Sequence, residues 1–254
     1  MKSLLRALLV FAGLCLLWQA FVAVTGIAPY LLPPPTRVFA TLIGRADFLL
    51  PHALLTLAEI MLGMICGVLL GCLSALVLAS FPPARRWLLP VVVVSQAIPV
   101  FALAPLLVLW FGYGMASKVA AATIIIYFPV TSAFYDGLRH TERGWLDLAR
   151  VMGATRRREL LLLRVPAALP GFASGVRVAA AVAPIGAIIG EWVGASAGLG
   201  YVMLQANARM QIDVMFAALL VLGVMAVALY YALDAALRHF IPWLPESLTA
   251  SSKE

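Results

Sequence analysis

Six apolar stretches, each near the length that crosses a lipid bilayer, leave this chain few folds to choose from. They cover residues 4–24, 54–81, 87–111, 119–135, 167–190 and 214–233 of 254. A helix needs about 20 mostly apolar residues to span the hydrocarbon layer. Only 11% of the residues are charged, against roughly 25% in a soluble domain. One soluble core cannot hide the 64% that are hydrophobic, so lipid must cover part of them. Backbone groups in lipid find no water, which restricts spans to helices or closed barrels. The two-residue alternation of a barrel is absent. The expected fold is all-α: a polytopic membrane protein with about six transmembrane helices.

An even number of spans puts both termini on one side. Placing them in the cytosol puts 13 of the 18 Lys and Arg residues there, leaves Arg37, Arg45, Lys118 and Arg209 outside, and keeps Arg177 in the membrane. Positive residues favour the cytosolic side, so both termini are expected there. The net charge of +7 is read as this orientation signal. The basic residues are not mixed with aromatics on a soluble face, so nucleic acid is not an expected partner.

The stretch 4–24 is interrupted only by Arg6, and no small-residue cleavage site follows Trp18. An uncleaved first span is therefore expected rather than a signal peptide. Pro29 and the run Pro33-Pro34-Pro35 hold the next connection extended, and Thr36 is placed to cap a short surface helix reaching Arg45. One domain is expected. Residues 1–53 hold the first span and the proline-rich outer segment, 54–240 the core, and 241–254 a tail. Cys15, Cys66 and Cys72 lie in apolar runs without CxxC spacing, and the three histidines share no ligand spacing. Neither a disulfide nor a metal site is expected.

Gly63, Gly67 and Gly71 recur every four residues, which bares one helix face for close backbone approach. Gly171 with Gly175, and Gly186 with Gly190, repeat the pattern. Packing within one bundle is the preferred reading, with a dimer seam or sliding surface as the alternative. The third stretch holds Pro90, Pro99 and Pro105 with Ser95 and Gln96 between them. Each proline frees a carbonyl that protein or water must satisfy, so this segment is either a kinked packing helix or the lining of a translocation path. On the path reading Gln96 and Pro99 are its candidates, with Arg177 and Glu191 of the fifth stretch. Arg177 reaches either the inner surface or, by preference, the bundle interior, because a charge in the bilayer is costly. Glu191 faces either water or that path. Residues 194–210 read as a glycine-flanked turn and a short amphipathic helix at the outer surface.

The segment 139–166 is charged and amphipathic between two apolar runs. Leu146, Ala149 and Val151 are expected on one face, with Asp147, Arg150 and Arg156 on another. Gly153 ends a short helix, since glycine tolerates the left-handed closing conformation. Leu160 to Leu163 then lead to Pro166, which suits the first turn of the next span. Such a segment either grips a cytosolic protein or rests on anionic lipid.

The spacing Asp147-Leu148-Ala149, three residues, Gly153, nine residues, Leu163-Arg164-Val165-Pro166 resembles the loop of binding-protein-dependent ABC importer permeases, written E-A-A, three residues, G, nine residues, I-x-L-P. Ala149, Gly153 and Pro166 match outright; Asp147, Leu148, Leu163 and Val165 replace the others. Pro99 to Leu106 with Trp110-Phe111-Gly112, and Gly190-Glu191-Trp192-Val193-Gly194 before Gly198-Leu199-Gly200, resemble the nitrate, sulfonate and taurine branch. Ala183-Pro184-Ile185-Gly186 and the segment from Gln205 to Gln211 are most similar to permeases for hydroxymethylpyrimidine-type thiamine precursors.

The resemblance implies the type I ABC importer permease (MetI-like) fold in a bacterial inner membrane. It implies two permease subunits, a homodimer being the expected arrangement. It also implies cytosolic ATPase subunits seated on the loop around Asp147 to Gly153, and an external solute-binding protein. The chain has no G-x-x-x-x-G-K-[ST] phosphate loop, so ATP is expected to be hydrolysed by the partner, with no cofactor bound by this chain. An ion-gradient transporter is the rival, but no repeated halves are visible. A membrane enzyme would need paired His, Asp or Glu in the lipid region, and none stand out.

Overall fold

The computed structural model describes residues 2–243. Eleven helices follow one another: α1 (Lys2–Thr25), α2 (Pro35–Gly44), α3 (Ala46–Ser80), α4 (Pro82–Ala97), α5 (Val100–Phe111), α6 (Met115–Arg139), α7 (Arg143–Val151), α8 (Arg156–Glu159), α9 (Val165–Gly194), α10 (Leu199–Ala208) and α11 (Ile212–Phe240). No strand occurs among the described residues. A wide π-type turn, Leu160–Arg164, joins α8 to α9, so Arg156–Gly194 runs on as one 39-residue helix. Four helices are long and apolar enough to cross a membrane: Ala46–Ser80, Met115–Arg139, Arg156–Gly194 and Ile212–Phe240. The expected tail falls mostly on residues 244–254, outside those described.

The stretch 87–111 is not one span. It divides into α4 and α5, with Ile98 and Pro99 extended at ψ 117° and 121°. Pro99 brings no N–H, and its ring disfavours helical geometry at the residue before it. Pro90 and Pro105 stay inside their helices. Thr36 is not a cap either. The helix begins at Pro35 with no side-chain cap, and Thr36 Oγ1 donates to Gln19 Oε1 at 3.4 Å. A proline in the first turn lacks an N–H that would have gone unpaired there.

Helix α6 lies between α3 and α9, and glycines set the spacing. Gly63, Gly67 and Gly71 face Ala122, Ile126 and Val130 of α6. From α9, Gly171 and Gly175 meet the carbonyls of Ala133 and Pro129, while Gly186 lies over Ala122 and Gly190 over Lys118. A Cβ on Gly186 would stand 2.6 Å from Ala122 Cα. Lipid removes much of the hydrophobic drive for helices to associate, so close backbone approach is what holds such pairs.

The middle of the bundle is filled by Ile60, Ile126, Val130, Ala183 and Leu229. Leu49, Val202 and Ala217 fill one end, where α10 lies. Leu78, Phe134 and Leu138 fill the other, where α7 leaves the bundle. Much apolar surface stays uncovered: Leu16 is 70% exposed, Leu109 77% and Trp110 67%. Lipid or another chain covers such faces.

Candidate functional site

Two polar clusters stand out, one at each end of the bundle. At the first, α6 ends and α7 projects as a short amphipathic helix. Leu146 is buried and anchors it. Gly153 takes φ +80°, and the turn closes through Gly153 N–H to Arg150 O and Ala154 N–H to Ala149 O, both 2.9 Å. Those bonds satisfy carbonyls that the helix end leaves open. Thr155 then caps the next turn, its Oγ1 accepting from Arg158 N–H at 3.4 Å.

Glu159 pins this loop to the span. It is 6% exposed and pairs with Arg150 of α7 at 3.3 Å and Arg164 at 3.0 Å. Arg150 also meets Asp147 at 3.1 Å. With the inner side locked, the outer face presents Trp145, Leu148, Val151 and Met152, the last two 86% and 78% exposed. Val151 therefore does not share the inward face of Leu146. Leu163 lies in the π-type turn, and Pro166 in the first turn of α9; both are half-buried. The spacing found the turn and the boundaries of this loop but did not single out Glu159, whose burial depends on the fold.

At the other end, Glu191 in the last turn of α9 is 1% exposed. Its Oε1 accepts from Thr56 Oγ1 of α3 at 2.6 Å. Its Oε2 accepts from the backbone N–H of Gly200 and, at 3.4 Å, of Tyr201. Thr56 Oγ1 also accepts from Leu199 N–H at 2.8 Å, and His52 Nδ1 accepts from Gly198 N–H at 2.9 Å. The unpaired amides at the start of a helix normally turn to a capping side chain or to water. Here side chains from α3 and α9 take all four at the start of α10. Glu191 thus faces neither water nor an open path.

Glu59, 2% exposed, is a second buried acid, on α3, and its Oε2 has no hydrogen-bond partner among the described residues. Lys118, 3% exposed, donates from Nζ to Tyr113 O, to Gly114 O at 2.9 Å and to Gly194 O at 2.8 Å. It ties the loop before α6 to the end of α9. Gly190 makes this possible, since a Cβ there would stand 2.9 Å from Lys118 Cα.

Among the described side chains, Arg177 and Glu191 take separate partners. Arg177 meets Asp234 of α11 at 2.6 Å, each side chain 14% exposed, and Arg238 also reaches Asp234 at 2.9 Å. Pro99 is exposed at the break between α4 and α5. Gln96 lies in the last turn of α4, and its side chain is outside those described. The partners Asp234, Thr56 and Glu59 carried no signal as a site, because each contact joins helices far apart in the chain.

Four likenesses bear on these features. Residues 67–245 match the family described as "Binding-protein-dependent transport system inner membrane component". A "Probable ABC transporter permease protein" of Haemophilus influenzae is 53% identical over 238 residues, 94% of this chain and 97% of that one. The "Formylaminopyrimidine transport permease protein ThiX" of Halalkalibacterium halodurans is 37% identical over 240 residues, 94% of this chain and 96% of that one. Among solved structures, an inward-facing MetNI methionine ABC transporter superposes with a TM-score of 0.68 at 20% identity, covering 77% of this chain and 97% of its own. At that identity the last likeness concerns the fold alone.

Proposed function

The chain belongs to the family of binding-protein-dependent transport system inner membrane components and is a permease subunit of an ABC importer; from that premise we propose that it carries a small polar pyrimidine of the thiamine-precursor type into the cytoplasm. The fold is that of the type I importer permeases. The pyrimidine assignment draws support from the relative named for formylaminopyrimidine transport and from the segments at Ala183 to Gly186 and Gln205 to Gln211.

On this reading α7 is the contact for the ATPase. The observation that carries it is a helix locked to its own chain on one side, by Leu146 and Glu159, that presents Trp145, Leu148, Val151 and Met152 on the other. An apolar face on a projecting helix suits a groove in a partner. Asp147, Leu148, Ala149 and Gly153 form and close that helix, and Leu163 and Pro166 lead from it into α9. When the ATPases close on ATP, a rigid α7 pulled by its partner moves α9 through Glu159 and Arg164, and the spans rock as bodies. ATP is hydrolysed on the partner; this chain binds no cofactor. Both termini face the cytosol, and the α10 end faces the external binding protein. A second copy of the chain completes the path, covering apolar faces such as that of Trp110.

The test is uptake into proteoliposomes holding this chain, its ATPase and its binding protein. Labelled hydroxymethylpyrimidine or formylaminopyrimidine should accumulate only with ATP inside, and taurine should not compete. Uptake of taurine in place of the pyrimidines would overturn the cargo, and uptake by this chain without ATPase or ATP would overturn the mechanism.

A further inference from the structure

We propose that a basic cavity between the end of α3 and the α7–α8 loop is a binding site for the phosphate diester headgroup of an anionic phospholipid. The cavity has a volume of about 740 Å³ and is lined by Arg150, Arg156, Arg157 and Arg164, with Glu159 as its carboxylate. Four guanidinium groups therefore meet one acid. Glu159 is already shared between Arg150 and Arg164. Arg156 and Arg157 have no ion pair among the described residues, and Arg164 Nε is buried with no acceptor. A buried donor without an acceptor is costly, so the cavity lacks an anion with several oxygens. Guanidinium forks match the paired oxygens of a phosphate better than those of a single carbonyl.

Location selects the source of that phosphate. Ser80 and Phe81, at the end of the α3 span, form the opposite wall. The apolar helix that continues as α9 begins at Arg156. The cavity thus sits where two spans give way to water, which is the headgroup layer. Beside it Phe81 is 60% exposed, Leu161 49% and Leu162 69%, so apolar side chains stand where acyl chains begin. The ATPase contact proposed above uses Trp145, Leu148, Val151 and Met152 of the same loop, none of which lines the cavity. A lipid held here would bridge α3 to Arg150 of α7, making the set of that helix depend on membrane composition.

The test is native mass spectrometry of the full chain released from nanodiscs of mixed phosphatidylglycerol and phosphatidylcholine. It needs no ATPase, binding protein or cargo, so its outcome is separate from that of the import reading. Phosphatidylglycerol should be retained in preference to phosphatidylcholine. Arg156→Gln/Arg157→Gln should lower that retention about thirtyfold, on the scale set by two basic residues at a membrane surface. Arg156→Lys/Arg157→Lys should keep most of it. Arg85→Gln/Arg86→Gln, which changes a basic pair outside the cavity, should keep it all. Excess inorganic phosphate should not displace the lipid. Equal retention of the two lipids, an unchanged Arg156→Gln/Arg157→Gln variant, an equal loss on changing Arg85 and Arg86, or full displacement by phosphate would each overturn the proposal.

Discussion

Thr56 Oγ1 donates to Glu191 Oε1 at 2.6 Å across 135 residues of chain, and this contact fastens the start of α10 to α3 and α9 together. The same hydroxyl accepts from Leu199 N–H, so one side chain serves both partners. Thr56→Val keeps the shape and removes both bonds. Each buried group left unsatisfied costs about 1–3 kcal/mol. The variant should melt earlier in detergent, and the amides of Leu199 and Gly200 should exchange faster with deuterium. Unchanged exchange there would mean that α10 is held by its apolar contacts alone.

Gly175 and Gly223 should answer to substitution in opposite ways. A Cβ on Gly175 would stand 2.6 Å from Pro129 O, whereas nothing lies within 4 Å of one on Gly223. Gly175→Ala should lower stability by about 1–3 kcal/mol, the usual cost of overpacking. Gly223→Ala should be neutral or raise it by up to about 1 kcal/mol from helix propensity. Thermal unfolding of the two variants side by side checks this.

At Gly153 the obstacle is conformation rather than space. Its φ is +80°, and no atom lies within 4 Å of a built Cβ. A β-branched residue resists that region, while asparagine visits it readily. Gly153→Val should insert normally and lose most ATP-driven uptake, and Gly153→Asn should keep a large part. Equal uptake by both variants would remove the turn from the coupling argument.

Arg177→Met leaves Asp234 with Arg238 as its remaining ion-pair partner in a half-buried position. Losing a hydrogen bond to a charged group costs about 1.5–3 kcal/mol. The double variant Arg177→Met/Asp234→Leu should recover much of the loss, because no buried charge is then stranded. Thermal shifts of the single and double variants measure the difference.

What the sequence made legible follows from how far each feature reaches. The α7 turn is local, and a glycine at the right distance from a short amphipathic run announces it. The glycine repeats marked close faces, but not that Gly67 would meet Ile126 or Gly186 would meet Ala122. Counting apolar residues joined α4 to α5, since hydropathy does not register the geometric limit that Pro99 puts on Ile98. The cluster around Glu191 was invisible for a different reason. Glu59, Lys118 and Glu191 each looked like the edge of a span, and only the crossing of α3, α6 and α9 brings them together. Arg177 was expected in the bundle interior, but nothing local points to its partner Asp234, which lies 57 positions away.

The amides at the start of α10 are fully engaged, which leaves this helix start none to offer an anion. A free helix start is a ready perch for negative charge, but His52, Thr56 and Glu191 already occupy this one. On the orientation proposed above, a negative group on a solute would find no free amide at this helix start and would have to be met by other groups.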